Sequence, residues 1–84
     1  MPDREMVYAA INTERDYQDA LGSDRTDGGA HTVGDYVTML QYYQHVLVAN
    51  WTLYPGDTMA LDTVRKIAGI AVRCMEEHGA LPRE

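Results

Sequence analysis

The stretch whose reading decides the fold is residues 32–54, TVGDYVTMLQYYQHVLVANWTLY. Thr32 and Asp35 stand three apart, the spacing of a capping box in which each side chain satisfies the other's backbone N–H. From Val33 onward, Val37, Leu40, Leu47, Trp51 and Tyr54 recur in a 4-3 rhythm, with Gln44 as the polar break. A second row, Tyr36, Met39, Tyr43 and Val46, lies beside the first, and Tyr42, Val48 and Ala49 widen it. This periodicity predicts a helix from about residue 33 to 54. A helix apolar around so much of its circumference is normally a central one. Two short partners do not cover it, so the pattern predicts that copies of the chain do.

Working outward, Pro55-Gly56-Asp57 reads as a tight turn, with Asp57 or Thr58 capping a third helix from about 58 to 78. Its expected buried stripe is Leu61, Val64, Ile67, Ala68, Ala71, Cys74 and Met75. Asp62, Lys66, Gly69, Arg73, Glu76 and Glu77 fall on the outer side. Gly69, with Ala68 and Ala71, makes a small-residue patch where another backbone or a ligand can approach. Gly79 followed by Pro82 is a helix stop. On the other side, residues 22–31 form a polar, glycine-rich break without the Gly-Lys-Ser/Thr of a phosphate loop. Before it, Asp3 is a good N-cap for a first helix from about Arg4 to Leu21. Met6, Val7, Ala10, Ile11, Tyr17 and Leu21 form its apolar stripe. Glu14 falls inside that stripe and needs a partner or water, because an unpaired buried carboxylate is costly. Arg15 and Asp19 are spaced to pair at i,i+4.

The expected fold is therefore all-α. It is a single domain over 1–84, with three helices as an antiparallel arrangement, or a hairpin of the second and third with the first laid across it. Homo-oligomerisation completes it. Eighty-four residues leave a thin stability margin, which small scaffolds make up with disulfides, metals or oligomerisation. The single cysteine, Cys74, excludes an internal disulfide and reads as a buried thiol or, alternatively, a reactive one. A net charge of −6 argues against a nucleic-acid partner but leaves room for a small anionic ligand. The charged start of the chain does not read as a signal peptide, and no apolar run approaches a membrane span. These features predict a soluble, cytoplasmic protein.

Candidate chemistry is sparse. The chain has three histidines, His31, His45 and His78, and they stand apart in sequence; none forms an H-E-x-x-H pattern, so no metal site is expected. Ser23 carries no nucleophile context, and no catalytic residue is assigned. Six tyrosines, one tryptophan and no phenylalanine favour wet pockets and interfaces over a dry core. Arg65 borders the apolar stripe of the third helix. Its head emerges at a packing seam, where it could hold a phosphate or pair with Glu14 or Asp62.

At Ile11-Asn12-Thr13-Glu14-Arg15-Asp16-Tyr17-Gln18-Asp19 the chain resembles a family of short proteins common in phages and prophages. The stretch from Arg65 to Gly79, including Arg65-Lys66-Ile67-Ala68 and Met75-Glu76-Glu77-His78-Gly79, is similar to a second motif of that family. His31-Thr32-Val33-Gly34-Asp35-Tyr36 looks like a third. The arrangement also resembles all-α MazG-like nucleotide pyrophosphohydrolases, which hold magnesium with E-E-x-x-E and a later E-x-x-D. Here Gln18 stands where that pattern needs a carboxylate, and no E-x-x-D follows Glu76-Glu77. The size and context are similar to those of phage sponges, oligomers that trap nucleotide signals made by the Thoeris and CBASS immune systems. That resemblance implies a non-enzymatic binder of a cyclic ADP-ribose isomer or cyclic oligonucleotide in the host cytoplasm, without a cofactor. It implies that Asn12, Arg15, Arg65 and Arg73 hold phosphate and ribose, and that Tyr8, Tyr43 or Trp51 stacks on the base. The alternatives are a divergent pyrophosphohydrolase using Glu14, Glu76 and Glu77, or a protein–protein interaction module.

Overall fold

A computed structural model describes residues 1–22 and 31–84. It is all-α: α1 covers Arg4–Gly22, α2 Val33–Leu53 and α3 Thr58–His78, with no strand among the described residues. Most of the glycine-rich break, residues 23–30, lies outside them.

Local chemistry sets the helix ends. Asp3 Oδ1 accepts the Met6 N–H at 2.9 Å and so caps α1. The expected capping box opens α2. Thr32 Oγ1 accepts from the Asp35 N–H at 3.0 Å, and Asp35 Oδ2 accepts from the Thr32 N–H at 2.8 Å. The α3 start differs from expectation, because Asp57 makes no side-chain cap. Its backbone already has helical dihedrals (φ −103°, ψ −12°), whereas a capping side chain normally acts from extended backbone. Its carbonyl still takes the first helical bond, from the Leu61 N–H at 2.8 Å. Gly79, at φ +130°, ends α3 in a conformation that a side chain would disfavour.

The packing overturns one expectation. The central helix is α3, not α2: α1 and α2 both pack on α3 and do not meet each other. A helix accepts a close neighbour where its side chains are small, and α3 offers Ala68, Gly69 and Ala71, while α2 is bulky over its middle turns. The outward and inward sides of α3 are also redistributed. Gly69 is buried, while Leu61, Val64 and Met75, expected inside, are exposed. The cause lies in α1, which meets α3 through Glu14, Arg15 and Gln18 and draws Arg65 and Glu76 towards it. Met6, Val7, Tyr17 and Leu21 of α1 are exposed as a result.

Tyr36, 1% exposed, and Ile70, 8% exposed, are the buried apolar side chains of the described core. Both belong to the α2–α3 contact, where Asn50 Nδ2 also donates to the buried Thr63 hydroxyl. Cys74 is a free, half-buried thiol. No described helix is long and apolar enough to cross a membrane.

Candidate functional site

Two polar clusters gather most of the charged candidates. The first is the seam between α1 and α3, and its geometry starts from Gly69. A Cβ there would lie 2.7 Å from both Glu14 Cγ and Gln18 Nε2, so the bare backbone admits α1 to this depth. Gln18 Nε2 then donates to Glu14 Oε2 at 3.2 Å and to the Lys66 carbonyl at 3.4 Å. Glu14 is only 6% exposed, and its other oxygen accepts from Arg65 Nε at 3.0 Å. Arg65 also binds Asp62, and Lys66 Nζ lies 3.6 Å from Asp62 Oδ2. One turn away Arg15, 8% exposed, donates through Nε to Glu76 Oε2 at 2.9 Å. Its remaining nitrogens reach Asp19 Oδ1 at 2.9 Å and Gln18 Oε1 at 3.4 Å.

The electrostatics follow from these contacts. Hydrogen bonds to Glu14 and then Asp62 raise the Arg65 pKa, and Arg65 in turn lowers that of Asp62. Burial alone would lower the Arg15 pKa, but Glu76 and Asp19 outweigh it and the net shift is upward. Both guanidiniums are thus held charged and already matched by carboxylates. A phosphate reaching either one would have to exchange with a carboxylate.

The second cluster lies where the start of α2 meets the end of α3. The Tyr36 ring takes His31 and His78 edge-on, at 5.6 and 6.1 Å between centroids. Arg73 lies 5.9 Å from the same ring centroid and pairs with Glu77 at 3.5 Å. His78 Nε2 lies 2.7 Å from the His31 carbonyl, the distance of an N–H donor to its acceptor. The buried Tyr36 hydroxyl has no partner in good hydrogen-bond geometry. Burial first, and the Glu77 carboxylate beside it second, push this phenol up to about 12. The same hydroxyl lowers the Glu77 pKa.

The candidate ligand residues divide between separate regions. Tyr8, Asn12 and Arg15 share one row of α1, with Tyr8 and Asn12 exposed and Arg15 engaged as described. Arg65 lies in the α1–α3 seam and Arg73 in the Tyr36 cluster. Tyr43 is half-buried against Tyr42, with centroids 5.2 Å apart, and Trp51 is exposed on α2. Because α1 and α2 do not meet, one chain does not bring Tyr43 or Trp51 to the Tyr8–Arg15 row. Glu14, Glu76 and Glu77, the carboxylates a metal-dependent hydrolase would call on, pair with Arg65, Arg15 and Arg73 in turn. Among the described residues no three His, Cys, Asp or Glu side chains converge.

Sequence reasoning missed the Arg15–Glu76 pair and the enclosure of Tyr36. The partners in the pair are 61 residues apart, and Glu76 reads in sequence as part of a solvated last turn. The only local hint for Tyr36 is its place one turn after the Thr32 cap, where a side chain points back over the start of the helix. No protein-family model matches the chain, and no curated protein or solved structure is significantly similar to it.

Proposed function

We propose that this chain is a non-enzymatic binding protein that works as an assembly of identical copies and takes a small ligand in grooves between them. One observation carries the reading: apolar side chains on all three helices lie at the surface, while the described core encloses only Tyr36 and Ile70 among them. A chain of 84 residues with so small a core gains little from burial by itself, and association is the common remedy. The proposed guest is a nucleotide-derived immune signal, a cyclic ADP-ribose isomer or a cyclic oligonucleotide, so that the assembly blunts host defence by lowering the free signal. The resemblance to short phage proteins supports this class, as do the exposed rings of Tyr8 and Trp51, free to stack on a base.

Light scattering at micromolar concentration tests the assembly, with a multiple of the 9.4 kDa chain mass expected. Calorimetry with a panel of cyclic dinucleotides and cyclic ADP-ribose isomers tests the guest. Heats equal to dilution across the whole panel would remove it.

A further inference from the structure

The two rows of apolar side chains that α1 and α3 leave unpartnered fall on one side of the pair. Helix α1 turns Glu14, Arg15 and Gln18 to α3. Met6, Ala10, Tyr17 and Leu21 follow about a quarter-turn round from that contact, counted against the direction of the numbering at 3.6 residues per turn. Helix α3 turns Arg65, Gly69 and Glu76 to α1, and its row Leu61, Val64, Ala68 and Met75 also lies about a quarter-turn round in the same rotational sense. Arg15 meets Glu76 while Gln18 meets Lys66, so the helices run in opposite directions. For two right-handed helices running oppositely, equal offsets bring both rows to the same side. Thr63 and Ile70 put α2 on the other side of α3.

The result is a two-helix face without a charged residue in either row, on a chain that carries 20 Asp, Glu, Lys and Arg residues (13 + 7). Its large side chains are open to solvent, with Met6 at 60% and Leu61 at 63%. The small residues Ala10 and Ala68 leave its middle low enough for another helix pair to approach closely. The exposed apolar area amounts to several hundred square ångströms, near the roughly 800 Å² per partner of a standard interface. The internal seam gives a second reason. It holds α1 by buried ion pairs, which contribute little net stability, so the apolar row of α1 gains nothing from folding on α3 alone.

We infer that this α1–α3 face is the surface on which a second copy docks, by an isologous contact that makes a four-helix layer from two pairs. The inference rests on the assembly proposed above. A copy is the occupant because the deficit belongs to the fold itself. A partner needed for α1 to stay docked must be present wherever the chain is, and another copy always is. Identical chains at a net charge of −6 repel, and an uncharged face is where they can meet.

The test uses the full chain and four single variants, with helix content by circular dichroism and mass by light scattering. Val64→Glu and Met75→Glu put a charge into the face; Val37→Glu and Trp51→Glu put one on the outer row of α2. All four sites are exposed in the single chain, so helix content should hold. The expected result is that Val64→Glu and Met75→Glu drop to 9.4 kDa while the α2 variants keep the parent mass. An independent measurement replaces Ala68 by Cys in a Cys74→Ser chain. Thiol cross-linking should give covalent dimers there and none from a Val37→Cys chain treated alike. An assembly that survives Val64→Glu and Met75→Glu but dissociates with Val37→Glu or Trp51→Glu overturns this face and leaves the assembly standing. A parent chain of 9.4 kDa at every concentration overturns both.

Discussion

Against α2, helix α3 turns Thr63, Ile70 and the ring-packed end around Tyr36; against α1 it turns Arg65, Gly69 and Glu76. The first contact removes apolar area from water, the term that dominates folding free energy. The second buries two opposite charges, Glu14 and Arg15, side by side on α1 and meets each with an opposite charge from α3. Such pairs fix register, because shifting α1 by one turn would strand both charges. They contribute little to stability, because desolvation offsets most of the attraction. One helix thus has a neighbour that stabilises it and a neighbour that is mainly aligned by it.

Substitutions at the two contacts should separate these roles. Ile70→Ala removes the principal buried aliphatic side chain of the α2–α3 contact and should cost about 3 kcal/mol in chemical denaturation. Arg65→Ala strands the buried Glu14 carboxylate. Fully buried pairs lose roughly 3–5 kcal/mol on such a change, and with the Arg65 side chain 37% exposed the expected loss is about 2 kcal/mol. The double change Glu14→Leu with Arg65→Leu should recover most of that, and a double mutant as weak as Arg65→Ala would contradict the alignment role. Gly69→Ala sets a helix-propensity gain of about 1 kcal/mol against displacement of Glu14 and Gln18. A net loss of about 1 kcal/mol is expected, with faster amide exchange in α1 and unchanged exchange in α2.

The smallest effect at neutral pH belongs to Tyr36→Phe, which deletes a hydroxyl that has no partner and should be near neutral. Alkali brings it out. A phenol held at about 12 in the folded chain and near 10 unfolded adds stability that is complete below pH 10. That stability is lost as pH rises from about 10 to 12. The parent chain should therefore weaken over this window by on the order of 2 kcal/mol more than Tyr36→Phe. Parallel denaturation midpoints for the two chains across the window would show that Tyr36 does not hold its proton.

The sequence announces the helices through local chemistry. Thr32 and Asp35 are three residues apart, and Asp3 precedes the first apolar turn, so capping acts within reach of neighbouring positions. It also singles out Glu14 as needing a partner, Gly69 as a place of close approach and Arg65 as its possible counter-ion, all of which hold. The hub of the packing is not legible in this way. The greasiness of α2 marks surface that wants covering, but Gly69, with no side chain to score, decides where α1 lands. Periodicity also assumes that apolar stripes face inward within one chain. Leu61, Val64 and Met75 break that assumption, because the buried side of α3 is set by charges on α1 far away in sequence.

The dependence of α1 on α3 alone has a consequence for how the chain is made. The first helix to leave the ribosome finds none of its partners in the next helix to emerge. Arg15 must wait for Glu76, 61 residues later, which at about 5–20 residues per second is a delay of several seconds. During that interval Glu14 and Arg15 stay hydrated, and the α2–α3 hairpin has time to close first. Order of synthesis and order of assembly therefore run opposite ways, with the earliest helix seated last.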